Sequence, residues 1–81
     1  MPGAQSVRPQ EQLRSLLRSI RTGAGLTQTD VARRLKQPQS FVSKYESGAR
    51  RLDLLELRDV CRAMGVSVAA FVRRFEKLVG P

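Results

Sequence analysis

Apolar residues recur at spacings of three and four along most of this chain. Leu13, Leu16, Leu17 and Ile20 fall on one face and predict a first helix from Gln10 to about Thr22. Gly23-Ala24-Gly25 ends it and turns the chain. Val31, Ala32 and Leu35 form the stripe of a second helix, and the pattern breaks at Lys36-Gln37-Pro38. It resumes with Val42 and Tyr45 and stops at Ser47-Gly48, with Gly48 in the left-handed position of a helix end. A fourth stripe is Leu54, Leu57, Val60, Cys61 and Met64; a fifth is Val68, Phe71, Val72, Phe75, Leu78 and Val79. The reading is all-α, with Met1–Pro9 as a flexible tail and one domain over residues 10–79.

Capping residues punctuate these stripes. Thr27 and Asp30 have the spacing of a capping box, flanked by Leu26 and Val31 as a hydrophobic staple. Asp53 and Glu56 repeat the box before the fourth helix. Ser67 caps the fifth, with Val66 and Phe71 as its staple.

The third helix carries the chemistry. Facing away from Val42 and Tyr45 are Gln39, Ser40, Ser43 and Lys44, all able to hydrogen-bond to base edges or phosphates. Gln39 suits adenine N6 and N7, and Lys44 suits guanine O6 and N7 or a phosphate. Phe41 either stacks on a neighbouring helix or meets a thymine methyl; packing is the commoner use of an aromatic. In the basic loop after the helix, Arg50 and Arg51 are candidates for backbone phosphates, with Thr27 and Ser47 added to that set. Arg33, Arg34 and Lys36 sit where they could approach a DNA backbone, but each is read as a solvated charge rather than a contact.

Gly25-Leu26-Thr27-Gln28, Val31-Ala32, Leu35, the run Gln39 to Glu46, Gly48, and Ala63-Met64-Gly65-Val66-Ser67 together resemble the Cro/C1-type (XRE-like) helix-turn-helix family of bacterial and phage transcriptional regulators. The likeness covers roughly residues 10 to 75. It implies a compact five-helix, lambda-repressor-like DNA-binding domain with a recognition helix over about 38–47. It also implies that Gln28 contacts a phosphate and braces Gln39, and that Arg21 pairs with Glu46. The turn departs from the family pattern. Lys36 stands where glycine is usual, in a left-handed position, and Pro38 where Ser or Thr often caps. Proline suits a first helical position, so the helix is expected to start at Pro38 with Gln37 as cap.

Composition narrows the partner. The 81 residues carry 15 basic and 7 acidic side chains, a formal charge of +8, and twelve of the basic residues are Arg. Such an excess points to a polyanion, and Arg suits phosphate and guanine. With no His and one Cys there are no ligands for a zinc finger and no histidine base. No cofactor is expected. No apolar run approaches the roughly 20 residues of a membrane span, and the N-terminus lacks a signal-peptide core, so the expected compartment is the cytoplasm.

Double-stranded DNA is therefore the expected partner. The function expected is that of a repressor acting as a homodimer on a palindromic operator. Phe75, Leu78 and Val79 either bury against a second subunit or pack over the first helix of their own chain. An antitoxin-type module that neutralises a partner protein and binds DNA secondarily is the alternative. A basic peptide on a membrane surface is a third reading, which the capped helices and turns oppose. An enzyme is the weakest reading, for want of a catalytic constellation.

Overall fold

The computed structural model describes residues 2–80, and burial from Arg8. Five helices follow one another: α1 (Pro2–Gly23), α2 (Gln28–Leu35), α3 (Gln39–Ser47), α4 (Leu54–Ala63) and α5 (Val68–Val79). The helix α2 packs on α3 and α4; α1 packs on α3 and α5; α4 packs on α5. Their stripes meet in one core of Leu16, Leu17, Ile20, Val31, Ala32, Val42, Tyr45, Val60, Cys61, Met64 and Phe71. Burial pushes the Cys61 thiol up to about 11, so it is a protonated, inert core residue.

The local devices are those of the sequence. The Thr27 hydroxyl accepts from the Asp30 N–H at 3.0 Å, and Asp30 accepts from the Thr27 N–H at 2.9 Å. Asp53 and Glu56 close the same box at 2.8 and 3.0 Å. The Ser67 hydroxyl accepts from the Ala70 N–H.

Four expectations are corrected. Backbone helix begins at Pro2 rather than Gln10, so α1 runs through the stretch assigned to a tail, save Met1, which lies outside the described residues. Beyond the packed turns from Leu13 to Ile20 each added residue gains a hydrogen bond, and the helix continues through Pro9 although proline removes one donor and crowds the preceding turn. Leu54 is 70% exposed, as is its neighbour Leu55 at 71%. Leu54 has the right spacing from Leu57, but it sits in the first turn of α4, where no element covers it. Val72 is likewise exposed on α5. Finally, α3 starts at Gln39 with Pro38 as its N-cap, and no side chain caps it.

That last difference has a visible cause. Lys36 holds the left-handed conformation, φ 57° and ψ 42°. Its N–H goes to the Arg33 carbonyl, and the N–H of Gln37 goes to the Ala32 carbonyl at 2.9 Å. This is the paired hydrogen-bonding of a Schellman turn. Gln37 is thus committed to closing α2, and the chain enters α3 through the extended backbone of Pro38.

Candidate nucleic-acid interface

The residues of α3 divide cleanly. Val42, Tyr45 and Glu46 are buried; Gln39, Ser40, Lys44 and Ser47 are exposed, and Ser43 is half-buried. The Tyr45 ring meets Phe41 edge-on, centroids 5.7 Å apart. Phe41 is half-buried against the core, the packing role expected of it. Tyr45 fills its site at one cost: its hydroxyl is sealed with no partner among the described residues. Burial raises its pKa, and it stays a neutral phenol.

Glu46 is the point where α3 is tied to the scaffold. Arg21 Nε donates to its Oε2 at 2.6 Å and Arg21 Nη2 to its Oε1 at 3.0 Å, a forked pair. Arg21 also donates to the Leu26 carbonyl at 3.0 Å, joining the end of α1 to the entry of α2. Arg18, on the outer side, lies 3.6 Å from Glu46 Oε1. Burial alone would lift the pKa of Glu46. The hydrogen bonds from Arg21 and then Gln28 outweigh it and hold the carboxyl below its ordinary value.

An ionised Glu46 can only accept. Gln28 Nε2 donates to it at 3.0 Å, which turns the Gln28 carbonyl outward, and Gln39 Nε2 donates to that carbonyl at 2.6 Å. The chain Arg21–Glu46–Gln28–Gln39 runs from the buried ion pair to the exposed start of α3. Among the described residues, it leaves the Gln39 carbonyl and one N–H without a partner.

The two loop arginines differ. Arg51 is exposed. Arg50 donates to Glu56 Oε2 at 2.6 Å and to the Arg51 carbonyl at 3.2 Å, and its guanidinium lies 4.7 Å over the Phe41 ring. The hydrogen bond from Arg50 is the main reason Glu56 is held below its ordinary pKa. Arg34 donates to the Ala63 carbonyl at 2.7 Å, closing the end of α4 rather than standing free in solvent. Thr27 is exposed and serves as the α2 cap, and the Ser47 hydroxyl donates to the Lys44 carbonyl at 3.1 Å. On α5, Phe75 packs against the core of its own chain, Leu78 is half-exposed and Val79 half-buried. Gln12 donates to the Leu78 carbonyl at 3.1 Å. Sequence reasoning missed the parts played by Arg18, Arg34 and Glu56. Their contacts span 28, 29 and six residues, and no periodicity announces them.

A short capped helix, a Schellman turn and a second helix with a free polar edge, held on a third by a buried ion pair, define a helix-turn-helix DNA-binding domain. The helix-turn-helix family model matches residues 17–71. An XRE-family-like protein from Pseudomonas syringae pv. tomato str. DC3000 is 36% identical, with a TM-score of 0.86 over 99% of this chain and 100% of that one. The chain belongs to the XRE-like, Cro/C1-type helix-turn-helix family of DNA-binding transcriptional regulators.

Two further structures share the fold. The restriction-modification controller protein C.Esp1396I, as a tetramer on its natural 35 base-pair operator, is 22% identical. Its TM-score is 0.80, over 88% of this chain and 93% of that one. The wild-type form of that protein gives 22% and 0.81 over 90% and 94%. No curated protein matches. No helix among the described residues is long and apolar enough to cross a membrane.

Proposed function

We propose that this protein is a cytoplasmic repressor that binds a palindromic operator as a homodimer, with α3 in the major groove. The observation that carries the reading is the division of α3. Gln39, Ser40, Ser43 and Lys44 lie along its outer edge, while Val42, Tyr45 and Glu46 fasten the inner one. Gln39, with its carbonyl and one N–H unpartnered among the described residues, matches the Hoogsteen edge of adenine and reads it. Lys44 takes guanine or a phosphate. Ser40 and Ser43 add short-range contacts. Thr27, Gln28, Ser47 and Arg51 hold the backbone and supply the salt-dependent attraction expected of a +8 chain.

The working unit is residues 10–79. Two such units related by a two-fold axis place their recognition helices about 34 Å apart in successive grooves. Half-exposed Leu78, with Val79 and the edge of Phe75, supports α5 as the contact between copies. Selection of bound sites from random DNA at stated salt tests both parts. An inverted repeat with one helical turn between half-sites is the expected result; a lone half-site or no enriched sequence refutes it. Leu78→Asp should shift the protein to monomer in light scattering.

One observation favours the second reading, a module that neutralises a protein partner. Adjacent Leu54 and Leu55 are bare on the surface. Loss of partner capture on Leu55→Lys, with DNA binding kept, is what that reading requires.

A further inference from the structure

Arg50 and Arg51 look interchangeable in the sequence: adjacent, identical and beside the recognition helix. Their surroundings are not. Arg50 is held on three sides. One face lies against the Phe41 ring at 4.7 Å, Nη2 is 2.6 Å from Glu56 Oε2, and Nη1 donates to the Arg51 carbonyl. The acceptor is itself fixed. Glu56 Oε1 takes the Asp53 N–H at 3.0 Å while the Glu56 N–H goes to Asp53 Oδ1 at 2.8 Å. Glu56 therefore serves two partners, one oxygen for the cap of α4 and one for Arg50. Phe41 in turn meets Tyr45, whose ring is in the core. The result is a continuous strut, Tyr45–Phe41–Arg50–Glu56–Asp53, from the recognition helix to the start of α4.

A guanidinium so placed is poorly suited to a phosphate. To reach one, Arg50 must leave Glu56, which exposes an unpaired carboxylate beside a polyanion, and must abandon the Phe41 face. Arg51 faces none of these demands: it is exposed and its side chain makes no hydrogen bond among the described residues. We infer that Arg50 is a positioning residue for base reading, setting how α3 is turned against α4 through Phe41, and that Arg51 alone makes the loop's phosphate contact. This rests on the DNA-reading role of α3 proposed above.

The test is the salt dependence of binding to the selected operator and to unrelated DNA, measured for the native chain and for R50A, R50K, E56Q and R51A. Loss of one phosphate contact flattens the slope of log K against log salt by about 0.9. R51A should show that change and weaken both DNAs alike. R50A should leave the slope in place and lower the operator-to-unrelated ratio about fivefold or more, the low end of one displaced base contact.

R50K should fail to restore that ratio, because Lys keeps the charge but not the plane that stacks on Phe41. E56Q keeps both Arg50 and an acceptor for the Asp53 N–H; it should lower the same ratio, which keeps the question open to decision should R50A not fold. A flattened slope in R50A with an unchanged ratio, recovery of the ratio by R50K, or a native ratio in E56Q would each overturn the inference. A native chain that prefers no DNA sequence removes the reading of α3 itself, and this inference with it. A native chain that discriminates while R50A behaves as R51A removes Arg50 alone.

Discussion

The recognition helix is fastened at two places by the same chemistry in opposite surroundings. At Glu46 and at Glu56 an arginine nitrogen lies 2.6 Å from a carboxylate oxygen. The Glu46 side chain is 1% exposed and that of Glu56 is 28% exposed. Equal bond lengths do not mean equal worth. Breaking the first leaves a largely buried charge without its ionic partner, out of reach of bulk water. Breaking the second returns both groups to water and counterions, which screen them. The buried pair decides whether α3 stays attached, and the outer one decides how it is turned.

The largest effect should come from the inner site. Glu46→Ala strands Arg21 and frees Gln28, and should cost about 3–5 kcal/mol, read as a collapse of the thermal melt. A native-like melt would show that the carboxylate does not anchor α3. Acid is a gentler probe of the same group. Because the folded-state pKa of Glu46 is depressed, its stabilising contribution is complete above the ordinary value of about 4.3. That contribution is lost as pH falls through the lower folded value, so melting temperature should drop in that window and not at pH 6 to 7. The variant Glu46→Gln should flatten this dependence.

Next, Gln39→Ala should leave the melt intact and cost roughly 1–3 kcal/mol in binding, with preference relaxed at one position per half-site. An unchanged selected motif would remove Gln39 from the readers. Lys36→Gly relieves a side chain held at φ 57° and should stabilise the fold by up to about 1 kcal/mol in denaturant titration. A loss instead would mean that the Lys36 side chain has a favourable role at the turn. Glu56→Gln, like Gln39→Ala, should leave the melt on the native one although its DNA discrimination falls. A large drop in its melting temperature would erase the distinction between the two fastenings.

How much was legible follows from range. The capping boxes at Thr27 and Asp53, the left-handed Gly48 and the apolar stripes are local patterns, and the chain displays them directly. Leu54 misled because periodicity gives a face but not the turn at which cover ends. Gln37 misled because α3 starts one residue later than the proline suggests, which puts Pro38 itself at the N-cap. The contact of Gln28 with Gln39 was expected through family likeness, since an amide at position 28 says nothing of what lies 11 residues on. The difference between Arg50 and Arg51 depends on Phe41 and Glu56 arriving from the two helices that flank their loop. No property of the dipeptide encodes that.

Tyr45, with its sealed hydroxyl, has a practical consequence. The chain holds one tyrosine and no tryptophan, so light that tyrosine absorbs and its three phenylalanines do not excites a single ring, on the buried face of α3. A change in the intensity of that ring's emission reports on the lodging of α3. The protein thus carries its own optical gauge of whether its reading surface is in place, needing neither dye nor label.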